Sequence, residues 1–483
     1  MSLPRSEMRI MDKAHHLPVL IDETPREECG LMAVSGQQES ANLTYLGLYA
    51  LQHRGQESAG ITSSDGKRLY LHTGSGVVSD VFDRKHLEAL KGNVSIGHVR
   101  YSTTGSLSNK NAQPFMVNYK GGRLAIAHNG NLTNAGLLKQ ELESRGAIFQ
   151  TTSDSELLLH LIAQSTSQDF EEALFSSLIR LKGAYSMLLL RENALYAMRD
   201  PRGFRPLCFG KLNDAYVFAS ESCALDIIGA QHLREVKPGE IIVVKNGEIS
   251  HRQPLAQHKQ SFCVFEYIYF CRPDSIVNGK SVYEIRQRLG ARLAEEHPAD
   301  ADLVIPVPDS SNPAALGFAK KSGIPFDFGL IRSHYVGRTF IEPSQSIRDF
   351  GAKIKYNPVK GLLMGKRVVV VDDSIVRGTT SKQIVTMLRN AGAKEIHFRS
   401  SAPPWVYPCY FGIDTPSGDE LIAYRYEVDK IREYMGADSL GYISREGMKK
   451  VMPRTVQYCS ACFDGIYPGG KPNGCRKDVL EKQ

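Results

Sequence analysis

The clearest hydrophobic pattern of the chain lies around residue 370. Residues 368–371 are four consecutive valines that precede Asp372 and Asp373, which predicts a short strand buried on both faces, as in a parallel sheet. Apolar residues then recur at the spacing of one helix face, at Ile384, Met387, Leu388 and Ala391. Gly392 stands where such a helix would end. The pattern predicts a strand, a polar loop and a helix in succession.

Strand and helix patterns alternate through the second half of the chain. Residues 303–306 form an apolar run that leads into a polar loop, and residues 394–398 are predicted to form the strand after the helix. This alternation predicts a parallel sheet with helices on both faces. The first half differs, because short apolar runs, beginning with residues 29–36, alternate with glycine-rich polar clusters and a few helices such as residues 156–164.

Composition narrows the class of protein. The chain has 483 residues, of which 42% are hydrophobic and 23% charged, as expected for two globular domains. A net charge of +7 without a basic run gives no support for nucleic-acid binding. We expect no membrane span, because no apolar run approaches 18 residues. Nine cysteines, an odd number, argue against a secreted disulfide framework and favour a cytoplasmic protein.

The loop after the valine strand carries the side chains of an anion site. Backbone N–H groups and the hydroxyls of Thr379 and Thr380 would hold a phosphate at the positive end of the helix. The neighbouring carboxylates would repel that phosphate and suit sugar hydroxyls or magnesium. A ribose 5-phosphate presents both kinds of group. The alternative is an ordinary strand that ends in a solvated aspartate pair.

Residues 368–380 resemble the phosphoribosylpyrophosphate signature of the type I phosphoribosyltransferases. The resemblance implies that this ligand is bound by Asp372, Asp373, Ser374, Arg377, Gly378, Thr379 and Thr380. It also implies a magnesium ion at Ser310, Asp372 and Asp373. The fold that it implies is the α/β fold with a parallel sheet that the alternation already predicts.

A segment without clear periodicity, residues 335–357, carries several cations. Long structureless segments in compact domains often act as lids, and the family has a lid over the pyrophosphate here. The resemblance assigns the lid to Tyr335, Arg338, Lys353 and Lys355. Tyr335 is also our candidate for the wall of an ammonia path between two sites; a packed core tyrosine is the alternative.

The polar clusters of the first half resemble the class II glutamine amidotransferase domain, an α+β N-terminal-nucleophile fold. The resemblance implies that Cys29 is the nucleophile, that Arg100 binds the glutamine carboxylate and that Asp154 binds its α-ammonium group. Asn129 and Gly130 would donate to the oxyanion. Taken singly, each residue has a plainer interpretation. Cys29 could be a core cysteine and Arg100 part of a surface ion pair. Asp154 could be a helix N-cap, and residues 129–130 could form a turn.

In the N-terminal-nucleophile family the α-amine of the nucleophile is the general base, and its ordinary pKa of about 8 suits that work. That amine is not free while Glu28 acylates Cys29. The resemblance therefore implies that residues 1–28, which lack the apolar core of a secretory signal, are a propeptide that is removed.

Cys459 and Cys462 form a C-x-x-C motif that by itself is compatible with zinc, with redox chemistry or with no role. Some phosphoribosylpyrophosphate amidotransferases bind a [4Fe–4S] cluster, and the resemblance to that iron–sulfur type implies the ligands Cys263, Cys409, Cys459 and Cys462. Cys208, Cys223, Cys271 and Cys475 match no such position and are expected to be plain thiols.

The two resemblances together imply a glutamine phosphoribosylpyrophosphate amidotransferase. Such an enzyme releases ammonia from glutamine and uses it to displace pyrophosphate, giving 5-phosphoribosylamine in the first step of purine synthesis. The alternatives are a glutaminase-coupled transferase with another acceptor and a non-catalytic phosphoribosylpyrophosphate-binding regulator. From the family we also expect purine nucleotides as feedback inhibitors and a homotetramer. The expected domains are residues 1–28 (leader), 29–258 (amidotransferase), 259–465 (transferase with a cluster-binding tail) and 466–483 (tail).

Overall fold

The computed structural model describes residues 29–101, 109–256, 258–333, 356–415 and 418–471. The proposed propeptide and the lid residues Tyr335, Arg338, Lys353 and Lys355 lie outside the described residues, as does Cys475. No helix of the described part is both long and apolar enough to cross a membrane.

Two antiparallel sheets form the first half of the chain. The first sheet has the strand order β11-β9-β10-β1-β4-β2-β3, with β1 Gly30–Ser35, β2 Ser58–Ser64, β3 Leu69–Ser75, β4 Val94–Arg100, β9 Cys208–Leu212, β10 Ala215–Ala219 and β11 Gln231–Glu235. The second has the order β13-β12-β8-β7-β6-β5, with β5 Phe115–Tyr119, β6 Gly122–Leu132, β7 Gly183–Leu190, β8 Ala194–Arg199, β12 Ile241–Lys245 and β13 Glu248–Arg252.

The two sheets face each other, and helices cover both outer surfaces. Successive strand residues point to opposite faces, so Leu31 and Ala33 pack between the sheets while Met32 and Val34 pack under helices. The helices over the first sheet are α1 Ser40–Ala50, α2 Val78–Val81, α3 Arg84–Ala89 and α7 Cys223–Asp226. Those over the second are α4 Ala135–Ser144, α5 Glu156–Gln164 and α6 Phe170–Arg180.

A four-stranded parallel sheet organises the second half. Its order is β17-β20-β21-β22, with β17 Leu303–Pro306, β20 Arg367–Asp372, β21 Glu395–Ser400 and β22 Ser439–Tyr442. Val369 and Val371 of the central strand pack under α8 Val282–Glu296 and α9 Asn312–Ser322. Val368 and Val370 pack on the other face, under helices Thr379–Asn390 and Val428–Met435. The predicted fold class is confirmed in both halves.

Helices α8 and α9 approach each other very closely. A Cβ atom at Gly290 would lie 1.7 Å from the carbonyl oxygen of Ala314, and one at Gly317 would lie 1.9 Å from that of Gln287. Only glycine allows this contact, because any side chain would collide with the backbone of the other helix.

Short elements complete the second half. They are β14 Phe262–Cys263, a π-helical turn at Glu266–Phe270, β15 Ile276–Val277, β16 Lys280–Ser281, β18 Leu330–Arg332, β19 Tyr356–Pro358, β23 Tyr458–Cys459, and helices Lys360–Leu363, Ile422–Arg425, Arg445–Val451 and Ala461–Asp464. Asn357, which we placed at the end of a structureless segment, pairs with Ile331. That expectation was wrong for this residue, since a three-residue ladder is too short to show a period.

Candidate functional site

Cys29 lies at the end of two paired strands. It directly precedes β1, where Gly30 pairs with Val99 of β4, and Arg100 is the last residue of β4. The antiparallel pairing therefore brings Cys29 and Arg100 to the same end of the strands β1 and β4. The Cys29 thiol is buried and lies 3.9 Å from the carbonyl oxygen of Tyr101.

Asn129 and Gly130 belong to β6 in the facing sheet, which contacts both β1 and β4. Asn129 is buried, and its Nδ2 atom has no hydrogen-bond partner among the described residues. Gly130 has φ +145°, and a Cβ atom there would lie 2.1 Å from the Ala184 carbonyl oxygen. A buried, unsatisfied amide donor is costly, so its presence beside this glycine fits a place where a ligand oxygen completes the hydrogen bonding.

Asp154 is tied to the same strand. Its carboxylate accepts a hydrogen bond of 2.8 Å from the Leu132 N–H and lies 3.4 Å from Nδ1 of His128. It is not the cap of helix α5, whose N-cap is Ser155. Arg100 is buried rather than in a surface ion pair, and Asn129 and Gly130 lie in a strand rather than a turn. The plainer readings of these residues are therefore wrong.

The polar loop of the second half lies at the carboxyl end of the parallel sheet. Asp372 ends β20, and helix Thr379–Asn390 begins after Gly378, whose φ is +80°. A Cβ atom at Gly378 would lie 2.6 Å from Cδ1 of Ile422, so this turn requires glycine. Thr379 and Thr380 occupy the first turn of the helix, and the N-terminus of a helix favours a phosphate.

The loop after the neighbouring strand β17 meets this site. Ser310 donates to Asp373 Oδ2 over 2.5 Å, and Ser311 donates to Asp372 Oδ1 over 3.3 Å. Ser374 donates to Asp373 Oδ1 over 2.7 Å, while Arg377 pairs with Glu420. The structure thus brings Ser310 to Asp373 and Ser311 to Asp372, because β17 and β20 are neighbouring strands.

The four cysteines of the expected cluster set come from three segments that meet between the two halves of the chain. Cys263 and Cys459 are opposite each other in the parallel β14–β23 pair. Burial, and then the nearby Glu266 and Cys409, raise the pKa of Cys263. Burial and then Cys459, Cys263 and Cys409 raise the pKa of Cys462. The Phe411 N–H donates to Cys409 Sγ over 3.3 Å.

No group of three or more His, Cys, Asp or Glu side chains in the described ranges is arranged to hold a metal ion. The chemistry of the donor set is nevertheless that of a [4Fe–4S] cluster: four neighbouring thiols, one of which accepts a backbone N–H, the kind of bond that tunes a cluster thiolate.

A buried charge network joins the two halves, and sequence reasoning missed it. Arg54 donates to Glu221 over 2.6 Å, to Glu266 over 3.1 and 3.2 Å and to the Cys29 carbonyl over 3.3 Å. All three charged side chains are fully buried. The only signal was that Arg54 stands in a polar cluster of the amidotransferase pattern. A buried charge is tolerated only when paired, and this network ties the backbone at Cys29 to the transferase half through Arg54 and Glu266.

Comparisons with known proteins find a family match in each half of the chain. A glutamine amidotransferase domain model matches residues 98–227, and a phosphoribosyl transferase domain model matches residues 274–431. Amidophosphoribosyltransferase 2 of Arabidopsis thaliana, a chloroplastic protein, is 54% identical over 450 residues, which cover 92% of this chain and 80% of the relative. The Bacillus subtilis amidophosphoribosyltransferase is 48% identical over 448 residues, covering 92% and 94%. The chain belongs to the amidophosphoribosyltransferase family.

Solved structures of the amidophosphoribosyltransferase family have the same fold. The Bacillus subtilis glutamine phosphoribosylpyrophosphate amidotransferase complexed with ADP and GMP superposes with a TM-score of 0.87 at 48% identity, covering 91% of this chain and 97% of that one. The chain is thus an enzyme, and its reaction is that of the amidophosphoribosyltransferases: glutamine-dependent formation of 5-phosphoribosylamine, the first step of purine synthesis. The binding-regulator alternative is set aside.

Proposed function

We propose that the residues predicted from the sequence catalyse both parts of the reaction, the hydrolysis of glutamine and the transfer of ammonia to phosphoribosylpyrophosphate. At the first site the Cys29 thiolate attacks the glutamine carboxamide, ammonia leaves, and water hydrolyses the thioester to glutamate. Arg100 and Asp154 hold the substrate carboxylate and α-ammonium group, and Asn129 and Gly130 donate to the oxyanion. The observation that carries this assignment is the buried Asn129 amide without a partner among the described residues.

At the second site the loop from Asp372 to Thr380 binds phosphoribosylpyrophosphate. The N-terminal turn of helix Thr379–Asn390 takes the 5-phosphate, and the two aspartates take the ribose hydroxyls. Asp372 and Asp373, with Ser310, would hold magnesium, which would supply positive charge to neutralise the leaving pyrophosphate. Two carboxylates suffice for this, because magnesium at phosphate sites keeps waters and substrate oxygens as its other ligands.

We further propose that purine nucleotides inhibit the enzyme, that it is a homotetramer and that it works in the cytoplasm. The solved Bacillus subtilis relative was complexed with ADP and GMP, which supports nucleotide binding. The eight cysteines in the described ranges form no disulfide with one another, which suits a reducing compartment. The domain boundaries at residues 28, 258 and 465 stay predictions. The lid and the Tyr335 channel wall also stay predictions.

The mature enzyme is expected to begin at Cys29, because the general base is the free α-amine of that residue. Intact-mass measurement of purified, fully active enzyme tests this and with it the proposed first site. A fully active protein that retains residues 1–28 would contradict both.

The enzyme purified without oxygen is expected to be brown and to contain about four iron and four sulfide per chain. Cys409→Ser should lower both contents, since it removes one of the four ligands. The matched control is Cys271→Ser, a buried cysteine of the same half outside the ligand set, which should keep the cluster. Stoichiometric zinc without iron or sulfide would refute the assignment.

A further inference from the structure

A loop of the transferase half touches the strand that carries the proposed oxyanion donors. Residues 409–412 lie between strands β21 and β22 of the parallel sheet in sequence, yet the Asn131 side-chain amide donates to the Tyr410 carbonyl over 2.9 Å. Arg205 Nε donates to the Phe411 carbonyl over 3.0 Å. Both donors belong to the amidotransferase half, so the loop is bonded across the junction twice.

The third contact across the junction is between Gly412 of the loop and Gly130 of β6. Gly412 has φ +106°, and a Cβ atom there would lie 3.1 Å from Cα of Gly130 and 2.9 Å from Nη2 of Arg205. The backbone of the loop therefore rests directly on the oxyanion glycine. A side chain at residue 412 would be strained by the positive φ and would press on Gly130.

Two further contacts restrict the movement of the loop 409–412. Phe411 stacks on Phe204 with ring centroids 4.2 Å apart, and the Cys409 N–H donates to Thr415 over 2.8 Å. Asn131 is the residue after Gly130 in β6. A fixed partner for its side chain therefore restrains the backbone that directly follows Gly130, the residue whose N–H is proposed to donate to the oxyanion.

We propose that the loop 409–412 is a working part of the glutaminase site, and that Asn131 and Gly412 are positioning residues for the Asn129–Gly130 oxyanion donors. The inference rests on the proposed role of those two donors. An oxyanion hole acts only when its donors are already aligned, and here part of that alignment comes from the other domain. The amidotransferase half alone would lack it.

The test is Asn131→Ala in the full mature enzyme, with kcat and KM for glutamine measured apart. We expect kcat of the glutamine-dependent reaction to fall about tenfold, less than the hundredfold or more typical of losing a donor outright. KM should stay within about twofold, because the ground-state carboxamide needs the donors little. Ammonia-dependent synthesis and the melting temperature should stay near those of the parent enzyme. Gly412→Ala should lower the same kcat further.

The matched control is Asn134→Ala. Asn134 also donates from its side chain to a backbone carbonyl over 2.9 Å, but to Arg180 within its own half, and its removal should leave kcat unchanged. Asn129→Ala serves as the reference for the proposed oxyanion role. If Asn129→Ala lowers kcat and Asn131→Ala does not, the inference about the loop is wrong and the oxyanion role stands. If neither changes kcat, the oxyanion role is wrong as well. Equal loss of both reactions in Asn131→Ala would show a structural effect only and would also overturn the inference.

Discussion

Replacing Cys29 with alanine is expected to lower glutamine-dependent synthesis by about four orders of magnitude or more, as expected when a covalent nucleophile is lost. Synthesis from added ammonia at alkaline pH should stay within about twofold of the parent rate, because the transferase loop lies in the other half of the chain and needs no thiol. The measurement is pyrophosphate release with each nitrogen donor in turn.

The control for this variant is Cys208→Ala. Cys208 is a buried thiol of the same half, in β9, and has no assigned role, so its loss should spare both reactions. Glutamine-dependent turnover that survives Cys29→Ala would remove Cys29 as the nucleophile. Loss of both reactions in that variant would mean that the two sites are not chemically separate.

The parts of the fold that the sequence predicts are those with local periodicity. The valine run became the central strand Arg367–Asp372, and the apolar face from Ile384 to Leu388 is buried in the helix Thr379–Asn390. Both signals arise because burial of one face imposes a fixed period on nearby residues. The α+β fold of the first half was expected from family resemblance and not from periodicity, and its two antiparallel sheets were not predicted.

The candidate site was predictable where function is concentrated in short motifs, and not where it depends on contacts between distant residues. Asp372 and Asp373 are adjacent in sequence, and Ser310 reaches Asp373 because β17 and β20 are neighbouring strands. Arg54 and Glu266 are 212 positions apart, and no local pattern links them. The Asn131–Tyr410 bond, across 279 positions, is hidden from sequence for the same reason.

The loss of a carboxylate charge at the carboxyl end of the parallel sheet can be compared with the loss of one at its amino end. Asp302 accepts from Arg367 at the start of β20, far along the strand from Asp373. This ion pair is partly exposed, and Asp302→Asn should change synthesis by no more than about twofold, as surface substitutions generally do. It therefore shows what loss of one carboxylate charge does to this sheet without touching the proposed site.

Asp373→Asn is expected to lower 5-phosphoribosylamine formation by about a hundredfold or more, the usual cost of removing one preorganised charge-stabilising group. The effect should be equal with glutamine and with ammonia, because the variant acts on the common acceptor. The two carboxylate oxygens of Asp373 accept from Ser310 and Ser374, and an amide would turn an N–H toward one of these hydroxyls. It would also remove the charge that, in the proposed site, faces magnesium and the ribose diol. Modification of Cys29 by an electrophilic glutamine analogue should remain, which would show an intact first site. Normal turnover of Asp373→Asn with ammonia would contradict the assignment of this loop to phosphoribosylpyrophosphate.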